Sequence, residues 1–208
     1  MGYPKSRSSR ESGFTLMELL VVICIIVIAT AIAAPAIGEA RAEQRVVRAA
    51  QSMIRIGRRA RSEAIGYGRA HVIRYSTNSA GGTSQGSMML YRGVTSTCNN
   101  NNWTNIFASP PCGAANSMCI DSIDLGDSEY NTSTHSTWMS SPAYGYIDIC
   151  YQSNGAVLHR EAAAARFSDL NTIAGGFLFN VTRQNAGAQE GVTRTVVFPL
   201  GGVPRLFR

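Results

Sequence analysis

Hydrophobic residues are massed at the amino-terminal end of the chain and then fall into two different rhythms. From Phe14 to Ile37 only Thr15, Glu18, Thr30 and Pro35 interrupt an apolar run. As a helix, a run of about 20 residues at ~1.5 Å each covers the ~30 Å of a hydrocarbon core. The run leaves through the polar stretch Glu39-Ala40-Arg41-Ala42-Glu43, after which a helical period takes over. Val46, Ala50, Met53, Ile54, Gly57, Ala60 and Ala64 share one face, and Arg41, Arg45, Arg48, Ser52, Arg55 and Arg59 share the opposite one. Gly66 and Gly68 predict the end of the helix.

Past residue 69 the pattern turns β-like, with alternating or aromatic-rich runs between turn-rich stretches. Strands are predicted at 70–75, 87–92, 144–152, 156–160, 176–182, 194–199 and 204–208. Ser153-Asn154-Gly155 reads as a hairpin turn and 184–191 as a longer one. Residues 93–143, rich in Asn, Ser, Thr, Pro and Gly, read as a long decorated loop. No internal repeat or second folded domain is visible. The predicted fold class is α+β: a long N-terminal helix packed on an antiparallel β-sheet or sandwich.

A carboxylate near the start of a membrane-length apolar run is costly unless it has a partner and a purpose. Ahead of the run lies a short leader with Lys5, Arg7 and Arg10 against Glu11. The leader, Gly13-Phe14-Thr15-Leu16-Met17-Glu18 and the apolar run together resemble the type IV prepilin signal of type IV pilins and type II secretion pseudopilins. The resemblance implies a membrane peptidase/methyltransferase that cuts after Gly13 and methylates Phe14, making Glu18 the fifth mature residue. It also places Pro35 where many pilins carry a helix-kinking proline. Met17 stands where Ile or Leu is commoner, a volume-conserving swap. Cleavage would expose an amine at Phe14, and Glu18 of one subunit pairing with the Phe14 amine of the next would offset the desolvation of both. A secretory signal peptide fits less well, since Ala33-Ala34-Pro35 is a poor cleavage site of that kind.

The second half of the helix ends in Ala60-Arg61-Ser62-Glu63-Ala64-Ile65, which is similar to a run in the GspH/FimT group of pseudopilins and minor pilins. The implied organisation is a leader at 1–13, a transmembrane and assembly half-helix at 14–37, an amphipathic half at 38–66 and an exported β-rich domain at 67–208. Leader positive charge keeps the N-terminus cytoplasmic, so the chain is expected to cross the inner membrane once before joining a pilus or pseudopilus. Its expected partners are the peptidase/methyltransferase, other pilins or pseudopilins through the N-terminal helix, and the inner membrane.

Cysteine usage agrees with export. Of five cysteines, Cys24 lies in the apolar run, while Cys98, Cys112, Cys119 and Cys150 lie beyond it. Four exported cysteines predict two disulfides, whose pairing the sequence leaves open among three possibilities, pinning loop 93–143. No Cys-x-x-Cys pair supports zinc, and no cofactor is expected.

The net charge is +6; removal of a leader carrying net +2 leaves the mature side chains at +4. This excess raises the question of DNA. Some FimT-type minor pilins bind DNA for uptake through a C-terminal Gly-Arg-x-Arg motif. Here Val203 replaces the first arginine, while Arg205 remains and Arg208 lies nearby, so DNA is a possible but not favoured partner. Asp121, Asp124, Asp127 and Glu129 form an acidic cluster that offers a weak calcium candidate, although the spacing fits no EF-hand loop. His71, His135 and His159 lack ligand spacing, and no nucleophile elbow or phosphate loop occurs, so catalysis is not expected. The sequence reads as a non-catalytic minor pilin or pseudopilin, with loop 93–143 as the candidate partner contact and DNA uptake as the alternative role.

Overall fold

In a computed structural model the structure describes residues 14–76, 86–126, 132–135, 146–161, 166–169, 176–185, 188–199 and 203–207. The chain divides into two compact units, Met1–Arg41 and Ala42–Arg208. Helix α1 (Leu16–Tyr67) belongs to both, and Pro35 lies inside it. It stops where the sequence predicts, at Gly68, whose φ of +66° is left-handed backbone that glycine adopts without a Cβ clash.

Within the second unit, a six-stranded antiparallel sheet is built from β1 (His71–Ser76), β2 (Ser87–Arg92), β3 (Cys119–Asp124), β5 (Tyr146–Tyr151), β6 (Val157–Arg160) and β7 (Ser168–Asp169), in the order β3-β2-β1-β5-β6-β7. A four-stranded sheet has the order β10-β9-β8-β4, from β4 (Thr132–His135), β8 (Phe177–Asn185), β9 (Ala188–Phe198) and β10 (Arg205–Phe207). The turn predicted at 153–155 closes β5 on β6: Gly155 takes φ +85° and the Asn154 side chain accepts from the Ala156 amide.

The period-2 alternation of the strands sorts side chains into two cores. Ile73, Tyr75, Met88, Leu90, Ile147, Ile149 and Tyr151 face the main core, where they meet the buried stripe of α1 and Phe177, Phe179, Val181, Val196 and Phe198 of the second sheet. Every apolar position assigned to that stripe from the sequence is buried, and Ala49 and Ile56 join it. Gly57 is there for room: a Cβ would lie 2.6 Å from Pro204 Cγ and 2.7 Å from Phe198 Cε1. The alternate residues of the six-stranded sheet, among them Val72, Tyr91, Cys150 and Leu158, face a second core.

That second core exists because 93–143 is not one long loop. It holds helix α2 (Trp103–Phe107) and strands β3 and β4. The asparagine run builds the cap locally. Asn101 Oδ1 accepts from the Val94 and Thr95 amides and its Nδ2 donates to the Thr97 carbonyl; Asn102 caps α2; Asn99 exchanges two bonds with the Phe167 backbone. Polar side chains thereby satisfy backbone groups that a sheet or long helix would otherwise pair. Trp103 and Ile106 are then free to pack inward with Cys98 and Phe167. The turn predicted at 184–191 is also shorter than expected, because β8 and β9, after a register shift between Val181 and Arg183, stay paired as far as Asn185 and Ala188.

Candidate functional site

The N-terminal part of α1 has an apolar surface with no packing partner among the described residues. Phe14 is 83% exposed, and Leu16, Met17, Leu19, Leu20, Val21, Val22, Ile23, Ile25, Ile26, Val27, Ile28, Ile32 and Ile37 are all exposed. The helix is long and apolar enough to cross a membrane. Thr30 does not disturb this surface, since its Oγ1 donates to the carbonyls of Ile26 and Val27 at 2.9 Å each. Cys24 is exposed on the same segment and forms no disulfide.

Phe14 and Thr15 precede the first helical residue, Leu16. The Thr15 carbonyl accepts from the Glu18 amide at 3.1 Å and from the Leu19 amide at 3.2 Å, and its Oγ1 also accepts from the Glu18 amide at 3.2 Å, as an N-cap side chain does. Glu18 lies in the first turn, where the positive end of the helix dipole favours a carboxylate. Gly13, the residue expected to precede the cut, lies outside the described residues.

The arginine face of α1 is divided in two. Arg41, Arg45 and Arg48 are exposed as expected. Arg55 and Arg59 instead reach Asp121 Oδ2 on β3, at 3.3 and 3.0 Å. Arg59 Nε also binds Glu63 Oε1 at 2.7 Å, and these partners hold its pKa above the usual arginine value. Glu63 Oε2 lies 3.4 Å from Nε2 of the fully buried His71 on β1. The glutamate of the Ala-Arg-Ser-Glu-Ala-Ile run thus stands between Arg59 of the helix and His71 of the first strand. Asp121 is an ion-pair partner of the helix, and Asp124 Oδ1 accepts from the Gly126 amide. Asp127 and Glu129, the other members of the acidic cluster, lie outside the described residues.

Both expected disulfides are present, as Cys98–Cys150 and Cys112–Cys119. The first ties the cap to β5. The second is made possible by a bulge: Leu90 pairs with Asp121 and Tyr91 with Cys119, so Ile120 is the extra residue and Cys119 turns to the cap side while Asp121 faces α1.

Sequence reasoning missed a charged cluster beneath the cap. Asp148 on β5 has no exposure; its carboxylate accepts from Arg74 Nε at 2.7 Å, Arg74 Nη2 at 2.8 Å and Arg160 Nε at 2.8 Å. The Arg74 guanidinium lies over the rings of Phe107 (3.5 Å) and Tyr146 (4.3 Å), and that of Arg160 over Phe167 (4.5 Å). These residues are scattered over separate strands, and no spacing in the sequence links them. The Thr15 cap was missed as well, although Thr15 and Glu18 stand at the spacing of a Thr-x-x-Glu capping pattern.

Arg205 is exposed on β10, an outer strand of the four-stranded sheet, while Arg208 lies outside the described residues. Among the described residues no group of three or more His, Cys, Asp or Glu is arranged to hold a metal ion.

Residues 8–34 match the family described as the prokaryotic N-terminal methylation motif. No curated protein and no solved structure matches the chain. The match supports a prepilin-like N-terminal segment in this chain, in keeping with a helix long and apolar enough to cross a membrane that continues into an α+β domain.

Proposed function

We propose that the chain is a non-catalytic minor pilin or pseudopilin of the GspH/FimT type. In this reading it is a subunit of a type IV pilus or type II secretion pseudopilus that acts in filament initiation or in contact with a partner at the tip. It enters the inner membrane with its N-terminus cytoplasmic and its disulfide-bonded domain exported. A prepilin peptidase/methyltransferase removes residues 1–13 and methylates Phe14. The observation that carries the reading is the overlap of the methylation-motif match at 8–34 with a helix that starts at Leu16 and whose large apolar side chains are exposed from there to Ile32. Such a surface is stable in lipid or against other copies of such a helix, and burial contributes roughly 25 cal/mol per Å² removed from water.

Assembly then has two parts. Apolar helices pack on one another, and Glu18 of one subunit pairs with the Phe14 amine of a neighbour, which fixes register. In Glu18→Ala, leader removal stays normal and incorporation into filaments falls at least about tenfold, as a lost buried charge pair implies. Filament fractions containing normal amounts of the variant would refute the register role.

A second reading, DNA binding for uptake, is supported by the exposure of Arg205 on an outer strand. It requires duplex binding that weakens steeply with salt and is lost in Arg205→Gln with Arg208→Gln. Binding unchanged by that pair would move the site elsewhere, and no binding at low salt removes the reading.

A further inference from the structure

We propose that Arg45 and Arg48 of α1 form a docking surface for the phosphate headgroups of anionic phospholipid where the chain leaves the membrane. This rests on the membrane-anchor reading above and adds a lipid preference to it.

The arginine face of α1 is uneven. Arg55 and Arg59 are held by Asp121 and Glu63, whereas Arg45 and Arg48 are exposed and join none of the ion pairs among the described residues. The helix offers them no carboxylate either. Side chains meet along a helix at separations of three and four residues. Around Arg45 those positions hold Arg41, Ala42, Arg48 and Ala49; around Arg48 they hold Gln44, Arg45, Gln51 and Ser52. Glu43 is two residues from Arg45 and faces elsewhere. Arg45 and Arg48 are therefore like-charged neighbours, an arrangement that destabilises a helix and that an anion between them would relieve.

Their position names the anion. They lie eight and eleven residues past Ile37, the end of the apolar run, or about 12 and 17 Å of helix at ~1.5 Å per residue. Headgroups add about 5–8 Å to each side of a hydrocarbon core, and the field of an anionic surface extends roughly a further 8 Å. Helical side chains also lean towards the helix N-terminus, which here is the membrane side. Arginines in this flank work against the proposed orientation, since exported flanks close to a span are normally poor in Lys and Arg. Headgroup binding gives them a use on that side. Duplex DNA shares the phosphate chemistry but not the continuity with the span.

The test uses the full chain in vesicles of mixed phosphatidylcholine and phosphatidylglycerol. A fluorophore on Gln44→Cys, with the free Cys24 changed to Ser, reports local quenching by spin-labelled lipid of either headgroup. Phosphatidylglycerol should be enriched at least about fivefold over phosphatidylcholine, the factor for one arginine near an anionic surface. Arg45→Gln with Arg48→Gln should bring the enrichment below about twofold, and high salt should do the same. Arg166→Gln with Arg205→Gln removes the same charge from two exposed positions elsewhere and should leave the enrichment unchanged. No preference in the parent, a preference that survives loss of Arg45 and Arg48, or an equal loss in the control pair would overturn the proposal. Absence of lipid preference together with duplex DNA binding through Arg45 and Arg48 would overturn it in favour of nucleic acid. A chain stripped from the vesicles by alkaline carbonate would instead refute the membrane-anchor reading itself.

Discussion

Asp148 of β5 and Arg160 of β6 are bonded side by side, Nε to Oδ2 at 2.8 Å, with the same carboxylate gripping Arg74 of β1 on its other side. Asp148 is fully buried and Arg160 nearly so, and removing the carboxylate takes from both Arg160 and Arg74 their ion-pair partner beneath the cap. Asp148→Ala is expected to lower stability by about 3–5 kcal/mol, the range for breaking a buried ion pair. Denaturant unfolding checks it: a midpoint within error of the parent would show that the cluster contributes nothing.

Two buried histidines make the folded domain acid-sensitive. Burial lowers the pKa of both His71 and His159 from the ordinary 6.5. His71 Nδ1 donates to the Arg69 carbonyl, and its ring is flanked by Glu63, which favours protonation, and Arg92, which opposes it. The unfolded chain therefore binds more protons than the native one as pH falls below about 6.5. Stability is full above that pH and declines from there towards the folded pKa values. The melting temperature should fall between pH 7.5 and 5.5, and fall less in His71→Gln. A flat profile in the parent would contradict the assignment.

The two disulfides close loops of very different size, with sequence separations of 52 and 7 residues. By loop entropy the first should contribute about 4 kcal/mol and the second about 2. Cys98→Ser with Cys150→Ser should therefore lower the unfolding midpoint clearly more than Cys112→Ser with Cys119→Ser. The reverse order would mean that the short bridge at the Ile120 bulge, and not the tie from cap to β5, holds this region together.

The legible parts of the fold were those written as periodic burial. The stripe from Val46 to Ala64 and the alternation along β1, β2 and β5 follow directly from which face meets the core. The cap was illegible for the opposite reason. Its asparagines read as loop formers, and they do bond locally, but those bonds fold the segment tightly enough to bury Trp103 and Ile106. The acidic cluster misled in a similar way, since Asp121 is near Arg55 and Arg59 only after β3 is placed against α1. At the N-terminus the methylation-motif match at 8–34 and the exposed apolar helix agree with the sequence reading, because both follow from one continuous apolar run. The Thr15 cap alone needed coordinates to be seen as made.

The most direct measurement is the N-terminus of the chain recovered from cells that express a prepilin peptidase. Mass spectrometry should find residues 1–13 gone and an N-methylated Phe14 at the start. An intact leader, or a cut after Ala34 at the far end of the apolar run, would contradict the account.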